Sequence, residues 1–349
     1  MILASQLLTK IGLIVLTVLL LIFLLTYLLV KKIHSLAFNR RYDKTFLHFF
    51  THKDFEGLEV EEIEFKSNNN NTLRGFIYYY PNNEYKGVAV VSHGLGVGHL
   101  QYTYEIEHFA KLGFKVVAFD NTGCAKSDGE AINGLPQGII DLKCCLEFIK
   151  TREDLKNYPK FLFGHSWGGY STINVQPFTS DEDNIKCAVT MGAPFSSVDV
   201  FLESLTSASK LFKFTRGFIA KIEKDLFGEI SKMNTLASLG NTNYDILLVH
   251  GTKDHICNYE SNFKFVQDQI NKDNIYFLTV ENKRHRPNIS DAATAYDEVV
   301  GNDINNLKKQ KATKEELKAY HDQIDYLKLV EFDNEVMKKI DEFILKHFN

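Results

Sequence analysis

Cysteine is scarce and poorly spaced for either of its structural uses. The 349 residues hold five, Cys124, Cys144, Cys145, Cys187 and Cys257, an odd number with no CxxC pair. That excludes a disulfide framework and a cysteine zinc cluster, and it reads as buried free thiols of a domain in a reducing compartment. A basic excess is also missing: 40 Lys and Arg against 44 Asp and Glu leave a formal charge of −4. With no basic stripe interleaved with aromatics, a nucleic-acid partner is excluded. No internal repeat is found, and no motif implies a metal or an organic cofactor.

One feature is present in excess. Ile11 to Val30 reads IGLIVLTVLLLIFLLTYLLV, an uncharged run that as a helix spans about 30 Å, the thickness of a hydrocarbon core. It is longer than the apolar part of a signal peptide, and no small-x-small cleavage site precedes Lys31, so it reads as a retained anchor. Only Lys10 and the amino terminus precede the run, whereas Lys31, Lys32, Arg40, Arg41 and Lys44 follow it. The expectation is a single-pass cell-membrane protein with its large domain in the cytoplasm. Residues 1–33 are thus an anchor and 34–56 a juxtamembrane segment. In the latter, Phe38, Tyr42, Phe46, Phe49 and Phe50 recur every three or four residues, as in an interfacial helix or one packed on the domain.

From residue 57 to 349 the pattern is that of one α/β domain. A strand pair (LEVEEIEF, TLRGFIYYY) is followed by alternating short apolar runs and helical stretches: strands at 87–92, 115–119, 160–163, 185–191, 245–250 and 275–280, helices near 102–112, 137–151 and from 166. Such alternation predicts a mainly parallel central sheet with helices on both faces. Residues 195–243 insert amphipathic helical sequence between two strands and read as a helical cap over the sheet's C-terminal edge. A second charged helical stretch, 291–331, precedes a closing helix with Val336, Ile340, Phe343 and Ile344 on one face.

Gly164-His165-Ser166-Trp167-Gly168-Gly169 follows the strand KFLF and opens a helix, the setting a nucleophile elbow requires. A serine hydroxyl is a weak nucleophile at neutral pH and needs a base held in one tautomer by an acid. Chain order then calls for Asp and His at later strand ends. YDILLVHG runs into Thr252-Lys253-Asp254, and IYFLTV is followed by the loop bearing His285, so Ser166, Asp254 and His285 are the expected catalytic residues. Asp254 as a helix cap and His255 or His321 as the base are the alternatives. The oxyanion hole is expected from the amides of Trp167, after the nucleophile, and Leu95, in the loop after VAVVSHG. His165 reads as a structural histidine beneath the elbow. A dinucleotide site at Gly94-x-Gly96-x-Gly98 with Asp120 has the wrong glycine spacing, and the turn-rich loop from Asp120 to Gly129 reads as a buttress of the elbow.

Together HGLG with Tyr102 and Tyr104, GFKVVAFDNTGCAKSDG, GHSWGGYS, the TKD loop and the RH loop resemble the α/β-hydrolase superfamily, nearest its monoacylglycerol lipase, lysophospholipase and serine aminopeptidase-like branch. The resemblance covers roughly 72–193 and 245–287. It implies an α/β-hydrolase fold and a serine hydrolase with no cofactor. Such relatives usually carry an arginine and a histidine in the segment that here reads DNTGCAKSDG, and a glycine where this chain has Arg284. The expected reaction is hydrolysis of a carboxylic ester. The anchor and the cap residues Phe201, Leu202, Phe212, Phe214 and Phe218 suggest a lipid or other acyl substrate, with thioester or aminoacyl substrates and an inactive interaction protein as alternatives.

Overall fold

Strands rich in Val, Ile, Phe and Ala cannot leave either face in water. In the computed structural model, which describes residues 2–42, 49–81, 84–96 and 98–348, they form the centre of one sheet. Its strands are β1 (Glu59–Lys66), β2 (Thr72–Tyr79), β3 (Gly87–Ser92), β4 (Phe114–Phe119), β5 (Lys160–His165), β6 (Ile185–Met191), β7 (Asp245–Gly251) and β8 (Ile275–Val280). The spatial order is β1-β2-β4-β3-β5-β6-β7-β8. Both pairings of β2 are antiparallel, and β4 through β8 run parallel. Every residue of β3 and β5 is buried, as parallel strands covered on both faces require. The alternating β1 buries only Ile63 and Phe65 and takes the edge. Strand order reverses at β3, so the loops leaving β3 and β5 diverge and open a crevice at their carboxyl ends.

The helices are α1 (Ile2–Phe38), α2 (Thr103–Lys111), α3 (Pro136–Thr151), α4 (Trp167–Asn174), α5 (Ser197–Ala208), α6 (Arg216–Phe227), α7 (Thr235–Asn241), α8 (Phe265–Gln267), α9 (Asp291–Lys309), α10 (Lys314–His321), α11 (Tyr326–Leu329) and α12 (Asn334–Leu345). One face of the sheet packs against α2 and α12 through Ile106, Phe109, Ile340 and Ile344. The other packs against α3 and α4, and beyond them against α5 and α6. Pro136 at the first turn of α3 and the Ser196 side chain accepting from the Asp199 amide start their helices where unpaired amides need relief. This is the mainly parallel, two-sided architecture expected from the alternation of elements, with α5 to α7 in the place of the cap.

α1 runs unbroken past residue 33 to Phe38. It is long and apolar enough to cross a membrane, exposed along Leu13 to Leu25, and docked at its C-terminal end on the cap. Phe23 and Tyr27 meet the Phe218 ring at 4.7 and 5.7 Å, and His34 and Phe38 meet Phe201 at 5.1 and 5.7 Å. Of the juxtamembrane aromatics, Phe38, Tyr42 and Phe50 pack on the domain. Phe38 ends α1, Tyr42 bridges to Cys124, and Phe49 and Phe50 reach the cavity described next. Phe46 and Lys44 lie outside the described residues.

Candidate active site

At the end of β5 the chain must turn from strand to helix within one residue. Ser166 does so with φ 54° and ψ −118°, a conformation costing roughly 1–3 kcal/mol for a residue with a side chain. Neighbouring glycines permit it: a Cβ on Gly164 would collide with the Gly168 carbonyl, and one on Gly168 with the Ser92 carbonyl. The Ser166 amide donates to the Met191 carbonyl at 2.8 Å, and its own carbonyl accepts from Tyr170 at 2.9 Å, so the turn is held from both sides. α4 then starts at Trp167, its amide end directed at the serine.

Asp254 follows β7 and is almost wholly buried. Oδ1 accepts from the Ile256 and Cys257 amides at 2.8 and 2.9 Å, which caps the turn that follows and orients the carboxylate, while Asn258 caps the next one from Tyr259. Oδ2 accepts from His285 Nδ1 at 2.8 Å. His250 Nε2 lies 2.8 Å from the Cys257 carbonyl and 3.2 Å from the same Oδ2. Burial opposes the charge on Asp254, yet the hydrogen bonds and charges of His250 and His285 hold its pKa well below the usual carboxylate value. His285 Nδ1 must then carry the proton, which leaves Nε2 as the basic nitrogen. Ser166 and His285 line one cavity. No side-chain hydrogen bond of Ser166 is present among the described residues, a looseness common in unliganded sites.

The structure adds partners that sequence reasoning missed. The Gly94 amide donates to Tyr102 Oη at 3.0 Å, and Tyr102 Oη lies 2.7 Å from His165 Nδ1. His165 Nε2 donates to the His285 carbonyl at 2.8 Å. That contact fixes the tautomer and makes Tyr102 the donor to Nδ1. Burial first, then the nearby charges of His285 and Arg286, keep the His165 pKa well below its ordinary value. This neutral chain joins the loop after β3 to the loop bearing His285, passing beneath Ser166. On its other side, Arg286 Nη2 donates to Glu105 at 2.7 Å and Asn288 donates to the same oxygen at 2.9 Å. Tyr102, close after HGLG, was the visible signal; its partner 63 residues away was not.

Leu95, Ser166 and Trp167 line the same cavity, and no hydrogen bond from the Leu95 or Trp167 amide is present among the described residues. Their loops are braced. His93 Nδ1 donates to the Gly94 carbonyl at 2.7 Å while Nε2 accepts from the Asn121 amide at 2.9 Å, and the Trp167 indole donates to Leu135 at 2.7 Å. Asp120 accepts from the amide and ring of His99, each at 2.8 Å. Against the cost of burial, His99 lowers its pKa to about 2. A Cβ at Gly98 would strike the Asp120 carboxylate, which is buried and already bonded to His99.

Above the serine opens a cavity of about 890 Å³. Its walls come from the end of α1 (Ala37, Phe38), from Phe49 and Phe50, from α5 (Val200, Phe201) and from the α9–α11 excursion (Val300, Ile304, Leu329). The stretch from Asp291 to Glu331 is thus a second cover. Of the five apolar cap residues singled out in the sequence, Phe201 alone is among the described lining residues. Phe218 is buried against α1 and Phe214 is exposed. His255 and His321 line the cavity but neither is paired with Asp254. No three metal-ligating side chains cluster among the described residues.

Comparison with known proteins gives a consistent picture of the fold. The sequence model of a family described as serine aminopeptidase, S33, matches residues 83–228. An uncharacterized abhydrolase domain-containing protein of Dictyostelium discoideum is 31% identical over 109 residues, which are 30% of this chain; the chain covers 11% of that relative's length. Among solved structures, an esterase of Pyrococcus furiosus superposes with a TM-score of 0.55 at 20% identity, covering 77% of this chain and 98% of the esterase. An α/β hydrolase of a Penicillium species gives a TM-score of 0.50 at 16% identity, over 72% of this chain and 98% of that one.

Proposed function

We propose that the chain is a serine hydrolase of the α/β-hydrolase superfamily that cleaves carboxylic esters through Ser166, His285 and Asp254, a reading supported by the match of residues 83–228 to the serine aminopeptidase model and by the shared fold. The observation that carries this reading is the pairing of buried Asp254 with His285, 2.8 Å apart, His285 lining the same cavity as a serine held on a strained elbow. In the proposed reaction Ser166 Oγ attacks the ester carbonyl while His285 Nε2 takes its proton. The Leu95 and Trp167 amides receive the charge on the tetrahedral oxygen, and His285 returns the proton to the departing alcohol. Water, activated by the same nitrogen, then releases the acid and restores Ser166.

A lipid or other long acyl ester is the substrate class we favour. The cavity is walled largely by apolar side chains, and one wall is the end of a helix of membrane length. Within this reading α1 is a single-pass membrane anchor. The basic residues after the apolar run support a cytoplasmic catalytic domain. No cofactor takes part in the proposed steps. Aminoacyl amides are the second reading, favoured by the match to the serine aminopeptidase family.

The test is covalent labelling of the detergent-solubilised full chain with a fluorophosphonate, with the modified peptide mapped. The expected outcome is label on Ser166, lost in Ser166→Ala. Label elsewhere overturns the nucleophile, and failure to label a folded protein overturns the enzymatic reading. A series of esters of rising acyl length set against aminoacyl amides separates the substrate classes, amide preference removing the lipid assignment.

A further inference from the structure

Two large apolar side chains of the cap stand in solvent beside the helix of membrane length. The link between α5 and α6, Lys210-Leu211-Phe212-Lys213-Phe214-Thr215, coils as a short 3₁₀ turn, leaving Leu211 80% and Phe214 65% exposed. Phe214 lies 6.4 Å from the ring of Phe218, and Phe218 sits edge-on to Phe23 at 4.7 Å. One ring therefore connects the exposed patch to α1.

The depth of that contact follows from spacing. Between Lys10 and Lys31 α1 carries no charge, and this length at 1.5 Å per residue is about 30 Å, one hydrocarbon thickness. Sliding the helix either way would draw a lysine into the acyl region, so its register across a bilayer is set. Phe23 lies eight residues before Lys31, roughly 12 Å inside the boundary. A cap ring touching Phe23 is therefore at acyl-chain depth, and a cap held in water could not reach it.

We propose that the 210–215 link is a second membrane contact: Leu211 and Phe214 enter the acyl region beside α1, and Lys210 and Lys213 extend to the headgroups. The partner is a lipid bilayer surface. The proposal rests on the reading of α1 as a membrane span.

The experiment uses the full chain in phosphatidylcholine vesicles whose acyl chains are brominated either near the glycerol or near the chain end. Bromine quenches indole emission on contact. The single native tryptophan, Trp167, is buried in the domain and gives the background. Leu20→Trp, at an exposed site in the middle of the span, reports the span itself, and Leu211→Trp and Phe214→Trp report the cap. All three replace exposed side chains, so folding is not at stake. The expected result is loss of the added emission for Leu20→Trp with deep bromine and for Leu211→Trp and Phe214→Trp with shallow bromine. Quenching of Leu20→Trp alone overturns the proposal and leaves the span intact. So does a blue shift of the cap variants that grows with protein concentration, the mark of a second copy covering the patch. No quenching of Leu20→Trp overturns the membrane span and the proposal with it.

Discussion

Replacing Asp254 by Asn keeps the size of the side chain and reverses what half of it can do. The amide oxygen can still accept from the Ile256 and Cys257 backbone, so the loop keeps its shape. The amide nitrogen then takes the place of Oδ2, and it faces His285 Nδ1 at 2.8 Å and His250 Nε2 at 3.2 Å. A donor meets two donors. His285 resolves the conflict by moving its proton to Nε2 so that Nδ1 accepts, and it can then no longer take the proton of Ser166. A wrong tautomer in a serine triad costs about 10⁴ in kcat, or about 5.5 kcal/mol of transition-state stabilisation. Asp254 does not line the cavity, so KM should hardly move. Loss of hydrogen bonds to a buried charge should lower stability by about 1.5–3 kcal/mol. The assay is steady-state hydrolysis of a short chromogenic ester, with Asp297→Asn as the control at a cavity-lining carboxylate. An Asp254→Asn enzyme within about tenfold of wild-type kcat would refute the assignment.

Three further expectations follow from the geometry. Because burial and its charged neighbours depress the His165 pKa below 6.5, the unfolded chain takes up that proton first. Stability present above pH 6.5 should fall below it, by up to about 1.4 kcal/mol per pH unit. Unfolding midpoints between pH 7.5 and 5 should show this slope, reduced in His165→Gln; stability that rises on acidification contradicts it. Gly168→Ala should destabilise by more than about 3 kcal/mol because its Cβ strikes the Ser92 carbonyl, whereas Gly301→Ala, with open space inside α9, should stabilise by up to about 1 kcal/mol; paired thermal melts test the opposite signs. Ile304→Trp, which narrows the cavity at α9, should lower kcat/KM several-fold for long acyl esters while leaving the shortest within about twofold; an equal loss for both would mean that the excursion does not contact the acyl chain.

What could be read from the sequence was whatever local pattern decides. The apolar run GVAVVS, the glycines around Ser166 and the strand-end positions of Asp254 and His285 each carry their reason within a few residues, and the structure brings those last two side chains to 2.8 Å. Contacts across long separations could not be read: the Tyr102–His165 bond, 63 residues apart, needs two different strands to end side by side. The cap phenylalanines show the same limit. Composition says that they will be covered, but not that Phe201 faces the cavity while Phe218 faces α1. The α9–α11 excursion reads as charged helical sequence, and only the fold, which sets Val300, Ile304 and Leu329 on the cavity wall, shows that it roofs the serine.

Those ends meet. Ile289 pairs with Phe332, the Ser290 amide donates to the Glu331 carbonyl, and the Asp333 amide donates to Asn288, both at 2.8 Å. Lys283 clamps the junction through Asp291 at 2.7 Å and Asp333 at 2.9 Å. The roof is therefore a cassette plugged into a closed socket. With its ends joined in this way, exchanging 291–330 for another segment should leave the strand before it and the helix after it in place, so long as Glu298, which pairs with Arg284 beside His285, is kept.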